Sequence, residues 1–256
     1  MAALADGFVR IPLAHRGLHG GVVPENSLAA AQAAIDAGYG IEIDIQPAAG
    51  GVPMVFHDYD LMRMTGDEGY IADLDRDDLA ELRLAGGDQR IPTLAEMLRL
   101  VAGKVPLLIE LKDQDGRLGR NIGDLHQKVA TALAHYAGPV AVMSFNPHMV
   151  GGFHRAMPRI PAGITTCGFD AGDWPGLEAE TRLRMAGIAD FEAAGACFIS
   201  HDRADLANPR VAALKSQGVP ILCWTVRSPE QEAEARRIAD NITFEGYAAA
   251  HSRKIA

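Results

Sequence analysis

The chain has 256 residues, with 24 Lys plus Arg against 33 Asp plus Glu and a net charge of −9. That length accommodates one large α/β barrel or two small domains, either with a sizeable core. The acidic balance, unrelieved by any basic block, excludes a nucleic-acid binder driven by backbone charge, and no apolar run is long enough to span a bilayer.

In chain order, Met1 to Phe8 has neither the basic start nor the long apolar run of a signal peptide, so a cytoplasmic location is expected. Short apolar runs then alternate with helical patterns, as in a βα repeat with a parallel sheet. Eight barrel strands are predicted, at Ile11–Ala14, Gly40–Ile45, Val105–Glu110, Val140–Met143, Ile160–Ile164, Cys197–Ser200, Pro220–Thr225 and Asn241–Phe244. Helical patterns lie between them at Leu28–Ala37, Leu94–Val101, Ile122–His135, Pro147–Ala156, Glu178–Ala194, Pro209–Gln217 and Pro229–Ala239. Thr93 and Glu96 have the spacing of a capping box at the start of the second helix.

The run Val52–Phe56 follows Ile45 too closely for a parallel crossover and must turn back. Residues 46–92 are therefore read as an insertion between the second strand and its helix. The eight remaining strands close a (β/α)₈ TIM barrel, one catalytic domain over residues 1–256. The Gly-, Asp- and Pro-rich stretch Thr165–Gly176 reads as a loop over the barrel mouth, where Trp174 either covers a substrate or anchors the loop. Cys167, Cys197 and Cys223 are widely spaced and odd in number, as reduced core cysteines usually are.

In such a barrel the C-terminal strand ends converge on one site. In Gly40–Ile45 the alternation puts Ile41, Ile43 and Ile45 on one face and Glu42 with Asp44 on the other. Glu110 and Lys112 share a face that can meet them. Glu42, Asp44 and Glu110 form an all-oxygen set suited to a hard divalent cation, Mg²⁺ or Ca²⁺, with positions left open for substrate. His15 and His57, at the ends of their runs, are candidates to take and to give a proton. Arg16 offers a planar fork and Lys112 a point charge for a phosphate. Together these residues describe a site for a phosphate ester.

The order His15-Arg16-Gly17, Pro24-Glu25-Asn26-Ser27, Glu42-Ile43-Asp44, His57-Asp58 and Glu110-Leu111-Lys112 resembles the glycerophosphodiester phosphodiesterases of the phospholipase C-like superfamily. The resemblance implies a TIM barrel with a small insertion after the second strand. It implies metal held by Glu42, Asp44 and Glu110, acid-base catalysis by His15 and His57, and a phosphate held by Arg16 and Lys112. The implied reaction converts a small-molecule glycerophosphodiester to glycerol 3-phosphate and an alcohol. Asn26 or Ser27 caps the first helix, Glu25 would pair with Arg16 or serve as a further ligand, and Asp58 would orient His57 or cap a turn. His201 and Trp224 would line the pocket or serve the fold. After the last strand many members carry Asp and then Pro, whereas this chain has Phe244-Glu245-Gly246-Tyr247. The rival readings are a lysophospholipase D-type or other phosphodiesterase on the same barrel, and a non-catalytic barrel that binds phosphorylated metabolites.

Overall fold

The computed structural model describes residues 2–85 and 87–251. Its strands are β1 (Leu13–Ala14), β2 (Gly40–Pro47), β3 (Pro53–Val55), β4 (Leu107–Leu111), β5 (Val140–Ser144), β6 (Ala162–Thr166), β7 (Phe198–Asp202), β8 (Ile221–Val226) and β9 (Asn241–Phe244). Its α-helices are α1 (Asp6–Arg10), α2 (Leu28–Asp36), α3 (Met62–Thr65), α4 (Arg76–Glu81), α5 (Leu94–Val101), α6 (Leu125–Ala132), α7 (Pro147–Ala156), α8 (Ala179–Ala186), α9 (Pro209–Ser216) and α10 (Pro229–Ala235).

Eight strands run parallel in the order β1-β2-β4-β5-β6-β7-β8-β9, and pairing of β9 with β1 closes the TIM barrel. The ninth, β3, pairs antiparallel with the end of β2, Ile45 opposite Val55, so the short connection does turn back. Every predicted barrel strand is present, its ends shifted by a few residues at most.

Strand parity divides the interior. Ile41, Ile43 and Ile45 face outward into the large core between sheet and helices, with Leu107, Ile109, Val142 and Ile199. The lower interior holds Leu13, Leu108, Ala141, Met143, Phe198 and Leu222, closed beneath by Phe8 of α1. Fitting Phe198 requires a glycine opposite, since a Cβ on Gly163 would lie 2.4 Å from its ring. Above this apolar floor the same inward positions carry Glu42, Asp44 and Glu110, all buried. The insertion between β2 and α5 packs a small core of its own around Met54, Phe56, Leu61, Ile71 and Leu79.

Helix ends depart from expectation where the periodic pattern outlasts the hydrogen bonding. The predicted helix Glu178–Ala194 stops at Ala186, where Gly187 takes the cap and Ile188 turns to a φ of 48°. The predicted helix Ile122–His135 is confined to Leu125–Ala132, because Gly123 has a φ of 55°. The five-residue α1 is too short to show a period and was not predicted from the sequence. Among the described residues no helix is long and apolar enough to cross a membrane.

Candidate active site

The loop after β1 is built around a left-handed turn. Arg16 has a φ of 55° and Gly17 a φ of 79°, and a Cβ on Gly17 would meet Ala30 at 2.8 Å. The turn brings the Arg16 N–H to Glu42 Oε2 at 3.0 Å and aims His15 and Arg16 at the carboxylates of β2. Ser27 caps α2, accepting from the Ala30 N–H at 3.0 Å. Its neighbour Asn26 is bonded to Asp44 instead, donating from Nδ2 to Oδ2 at 3.0 Å and accepting the Asp44 N–H at 3.2 Å. Asn26 thus belongs to the site rather than to the helix cap.

Glu42, Asp44 and Glu110 each offer an oxygen within 4.8 Å of the others. Lys112 Nζ lies 2.8 Å from Asp44 Oδ1 and 2.6 Å from Glu110 Oε1, and Arg16 Nε lies 3.3 Å from Asp44 Oδ2. Burial opposes the Asp44 charge, but Lys112, His57 and Arg16 hold its carboxyl well below the usual range. Glu42 has less help: it accepts the Arg16 N–H, but among the described residues no Lys, Arg or His side-chain nitrogen lies within 4.0 Å of it. Burial first, and the Asp44 and Glu110 charges next, push its carboxyl well above the ordinary carboxylate range. A buried carboxylate without a cation, facing two others through oxygen atoms alone, is the environment that a divalent cation relieves. The residues present therefore fit a metal.

Each histidine at this centre is held by a carboxylate that an arginine holds in turn. His15 Nδ1 is 2.5 Å from Glu245 Oε2, and Arg227 Nε donates to Glu245 Oε1 at 2.6 Å. His57 Nδ1 is 2.7 Å from Asp58 Oδ1, and Arg63 Nε donates to Asp58 Oδ2 at 2.5 Å. Arg63 also reaches Glu25 through Nη2 at 2.7 Å and Nη1 at 3.1 Å, while Arg16 Nη1 donates to the same carboxylate at 2.7 Å. Glu25 is thus shared by two guanidinium groups. It stays ionised because Arg63 and Arg16 outweigh its burial. Burial is the largest influence on His15 and lowers its pKa against the pull of Glu245. The Glu245 carboxyl is held well below the usual range by its bonds to His15 and His19.

Two joined cavities open over these groups. The inner one, about 180 Å³, is lined by His15, Arg16, Glu42, Asp44, His57, Glu110 and Lys112. The outer one, about 560 Å³, shares His57, Glu110, Lys112, Phe145 and Trp224 with it and adds Tyr59, Asp60, Trp174 and Leu177. The structure thus brings His15, His57, Arg16, Lys112, Glu42, Asp44 and Glu110 together, with Trp174 and Trp224 beside them. Trp224 also anchors itself, donating from Nε1 to the Ser200 carbonyl at 2.9 Å.

His201 is not at the site. It is fully buried, with Nδ1 2.7 Å from Thr166 Oγ1 and Nε2 3.0 Å from the Asp205 carbonyl, and it lines neither cavity. Thr166 and His201 are register partners on adjacent strands, so the ring serves the sheet. Sequence reading assigned no role to Arg63, Arg227 and Glu245, and it offered Asn26 only as a helix cap. The only sequence signal for Glu245 was the altered pattern after the last strand.

A family model described as "Glycerophosphoryl diester phosphodiesterase family" matches residues 15–242. The Bacillus subtilis protein YhdW is 28% identical over 231 residues, covering 87% of this chain and 88% of its own. The glycerophosphodiester phosphodiesterase of Caldanaerobacter subterraneus subsp. tengcongensis is 30% identical over 163 residues, 59% of this chain and 65% of its own. Among solved structures, the fold is shared with a phosphodiesterase of Oleispira antarctica in complex with the product sn-glycerol-3-phosphate, at a TM-score of 0.73 and 23% identity over 92% of this chain and 93% of that one. It is also shared with the glycerophosphodiester phosphodiesterase of Thermotoga maritima, at a TM-score of 0.71 and 22% identity over 92% and 94%. With the match spanning all five sequence motifs, the chain belongs to the glycerophosphoryl diester phosphodiesterase family.

Proposed function

We propose that this site hydrolyses glycerophosphodiesters to glycerol 3-phosphate and an alcohol, with His15 as general base and His57 as general acid. The observation that carries the reading is the pair of carboxylate-held imidazoles beside a buried carboxylate cluster. Glu42, Asp44 and Glu110 would hold Mg²⁺ or Ca²⁺, which would supply positive charge to balance the anionic phosphate. Arg16 has Nη1 on Glu25 and Nε against Asp44, so Nη2 is left for a phosphate oxygen. Lys112 has three N–H donors; Asp44 and Glu110 take two, and the third is left for the phosphate.

The proton roles follow from placement. Bonding of Nδ1 to a carboxylate puts the Nδ1 proton toward that carboxylate in each ring and leaves Nε2 for the reaction. His15 lines only the inner cavity, and burial favours its neutral form, as a base requires. His57 lines both cavities and so borders the space a departing alcohol would enter. An oxygen nucleophile, either water or the neighbouring glycerol hydroxyl, gives its proton to His15 as it attacks phosphorus. The bond from phosphorus to the alcohol oxygen breaks as His57 supplies a proton to that oxygen. Attack by the hydroxyl yields a cyclic phosphate that water then opens.

Phosphorus NMR of a glycerophosphodiester incubated with the protein and Mg²⁺ or Ca²⁺ tests the reaction. The diester signal should be replaced by that of glycerol 3-phosphate. Formation of the phosphorylated alcohol and free glycerol would place the cleavage on the wrong side of phosphorus and overturn the reading.

A further inference from the structure

The outer cavity has a composition unlike the catalytic floor beneath it. One wall is a run of aromatic rings: Trp174 lies 5.2 Å from Phe145, and Phe145 lies 5.5 Å from Trp224. Leu118 and Leu177 pack with them. Tyr59 also lines the cavity, its hydroxyl donating to the Asp113 carbonyl at 2.8 Å, and burial raises its pKa to about 12, so the ring remains a neutral phenol. Asp60 and Asp173 line the same space, exposed, and among the described residues neither has a Lys, Arg or His side-chain nitrogen within 4.0 Å; Asp113 also lines it but is buried and accepts from Asn146 and Leu118. The cationic or protonatable nitrogens lining it belong to His57 and Lys112, which are shared with the inner cavity, and Lys112 is already bonded to Asp44 and Glu110. Aromatic faces combined with two carboxylates that lack a cationic partner attract a positively charged, partly apolar group and disfavour an anion.

We propose that this cavity is the subsite for the leaving alcohol and that it selects an alcohol whose ammonium group gives it a net positive charge, such as choline or ethanolamine, over neutral inositol or glycerol and zwitterionic serine. The inference rests on the phosphodiesterase reading above and adds the substrate class. The rings of Trp174, Phe145 and Trp224 would contact the ammonium substituents, and Asp60 and Asp173 would supply the countercharge. The loop after β6, residues 167–176, carries both Trp174 and Asp173, which makes it the specificity element of the barrel mouth. The inner cavity, about a third as large, is left for the glycerophosphate half.

The chain has two tryptophans, Trp174 and Trp224, and both line this cavity, so intrinsic tryptophan emission reports its occupancy without turnover. The protein should be titrated with choline, with ethanolamine and with 3,3-dimethylbutan-1-ol, the uncharged isostere of choline. Choline should give a saturable change at a concentration about tenfold or more below that needed for the isostere. In parallel, kcat/KM for glycerophosphocholine and glycerophosphoethanolamine should exceed that for glycerophosphoinositol by about tenfold or more. The double substitution Asp60→Asn with Asp173→Asn, at two exposed positions, should narrow both ratios. Equal response to choline and its isostere, or equal kcat/KM for charged and uncharged alcohols, overturns the subsite. Absence of turnover with every diester would instead overturn the phosphodiesterase reading, while the emission titration still decides what the cavity binds.

Discussion

The two histidines at the barrel mouth sit in matching arrangements reached by different routes. His15 leaves the end of β1 and finds its carboxylate on Glu245, 230 residues away, at the end of β9. His57 follows β3 in the insertion and finds its carboxylate on the next residue, Asp58. The first arrangement exists only when β9 pairs with β1 and closes the barrel. The second is local, and it is tied to the barrel through Arg63 and Glu25. The His15 side chain is 15% exposed and that of His57 32%. The barrel thus provides the protected, burial-tuned group, and the insertion provides the one that faces both cavities.

Removing either imidazole of this pair should have the largest effect. His15→Ala and His57→Ala are each expected to lower kcat by about 10²- to 10⁴-fold, with divalent-cation affinity measured by calorimetry nearly unchanged. Full activity in either variant would contradict its place in proton transfer. The supporting carboxylates come next. Glu245→Gln should lower kcat by about 10- to 100-fold, and Asp58→Asn by less, because water can reach and partly satisfy the more exposed His57 ring. A larger loss in Asp58→Asn would reverse the ranking of the two arrangements.

The arginines should matter less. Arg63 is 47% exposed and Arg227 56%. Arg63→Ala should cost a few-fold in kcat, since it frees Asp58 and Glu25 together, and Arg227→Ala should cost least.

The same pairs predict a pH effect on stability. The Glu245 carboxyl titrates below its ordinary value of 4.5 in the folded chain, so its contribution is fully present above that pH and is lost as pH falls through the folded value. The fall in Tm between about pH 5 and pH 3 should be shallower in Glu245→Gln than in the parent chain, as read by calorimetry. An unchanged slope would show that the His15–Glu245 bond adds nothing to acid stability.

The contrast between the two histidines also explains what could be read in advance. Alternation alone placed Glu42 and Asp44 on one face and Ile41, Ile43 and Ile45 on the other, because parity is local, and closure of the barrel makes the acidic face the inner one. The same reasoning placed Glu110 and Lys112, and adjacency made Asp58 a candidate partner for His57. Partners that meet only through closure were not legible: nothing near His15 in the chain points to Glu245. Asn26 was read as one of two helix-cap candidates because its side chain is a common cap, whereas the turn at Arg16 carries it to Asp44. His201 illustrates the reverse case. A histidine at a strand end left pocket and fold both open from sequence, and strand register, which pairs it with Thr166 and buries it, gives it to the fold.

The claim that organises the site is that Glu42, Asp44 and Glu110 serve a divalent cation. It is tested most directly by following glycerol 3-phosphate release by chelator-stripped protein, before and after Mg²⁺ or Ca²⁺ is added separately. The account predicts no release without a cation and restored release with one of them, with a higher cation requirement in Glu42→Ala. Undiminished release after stripping would contradict it and leave Lys112 and Arg16 as the charges that the carboxylates serve.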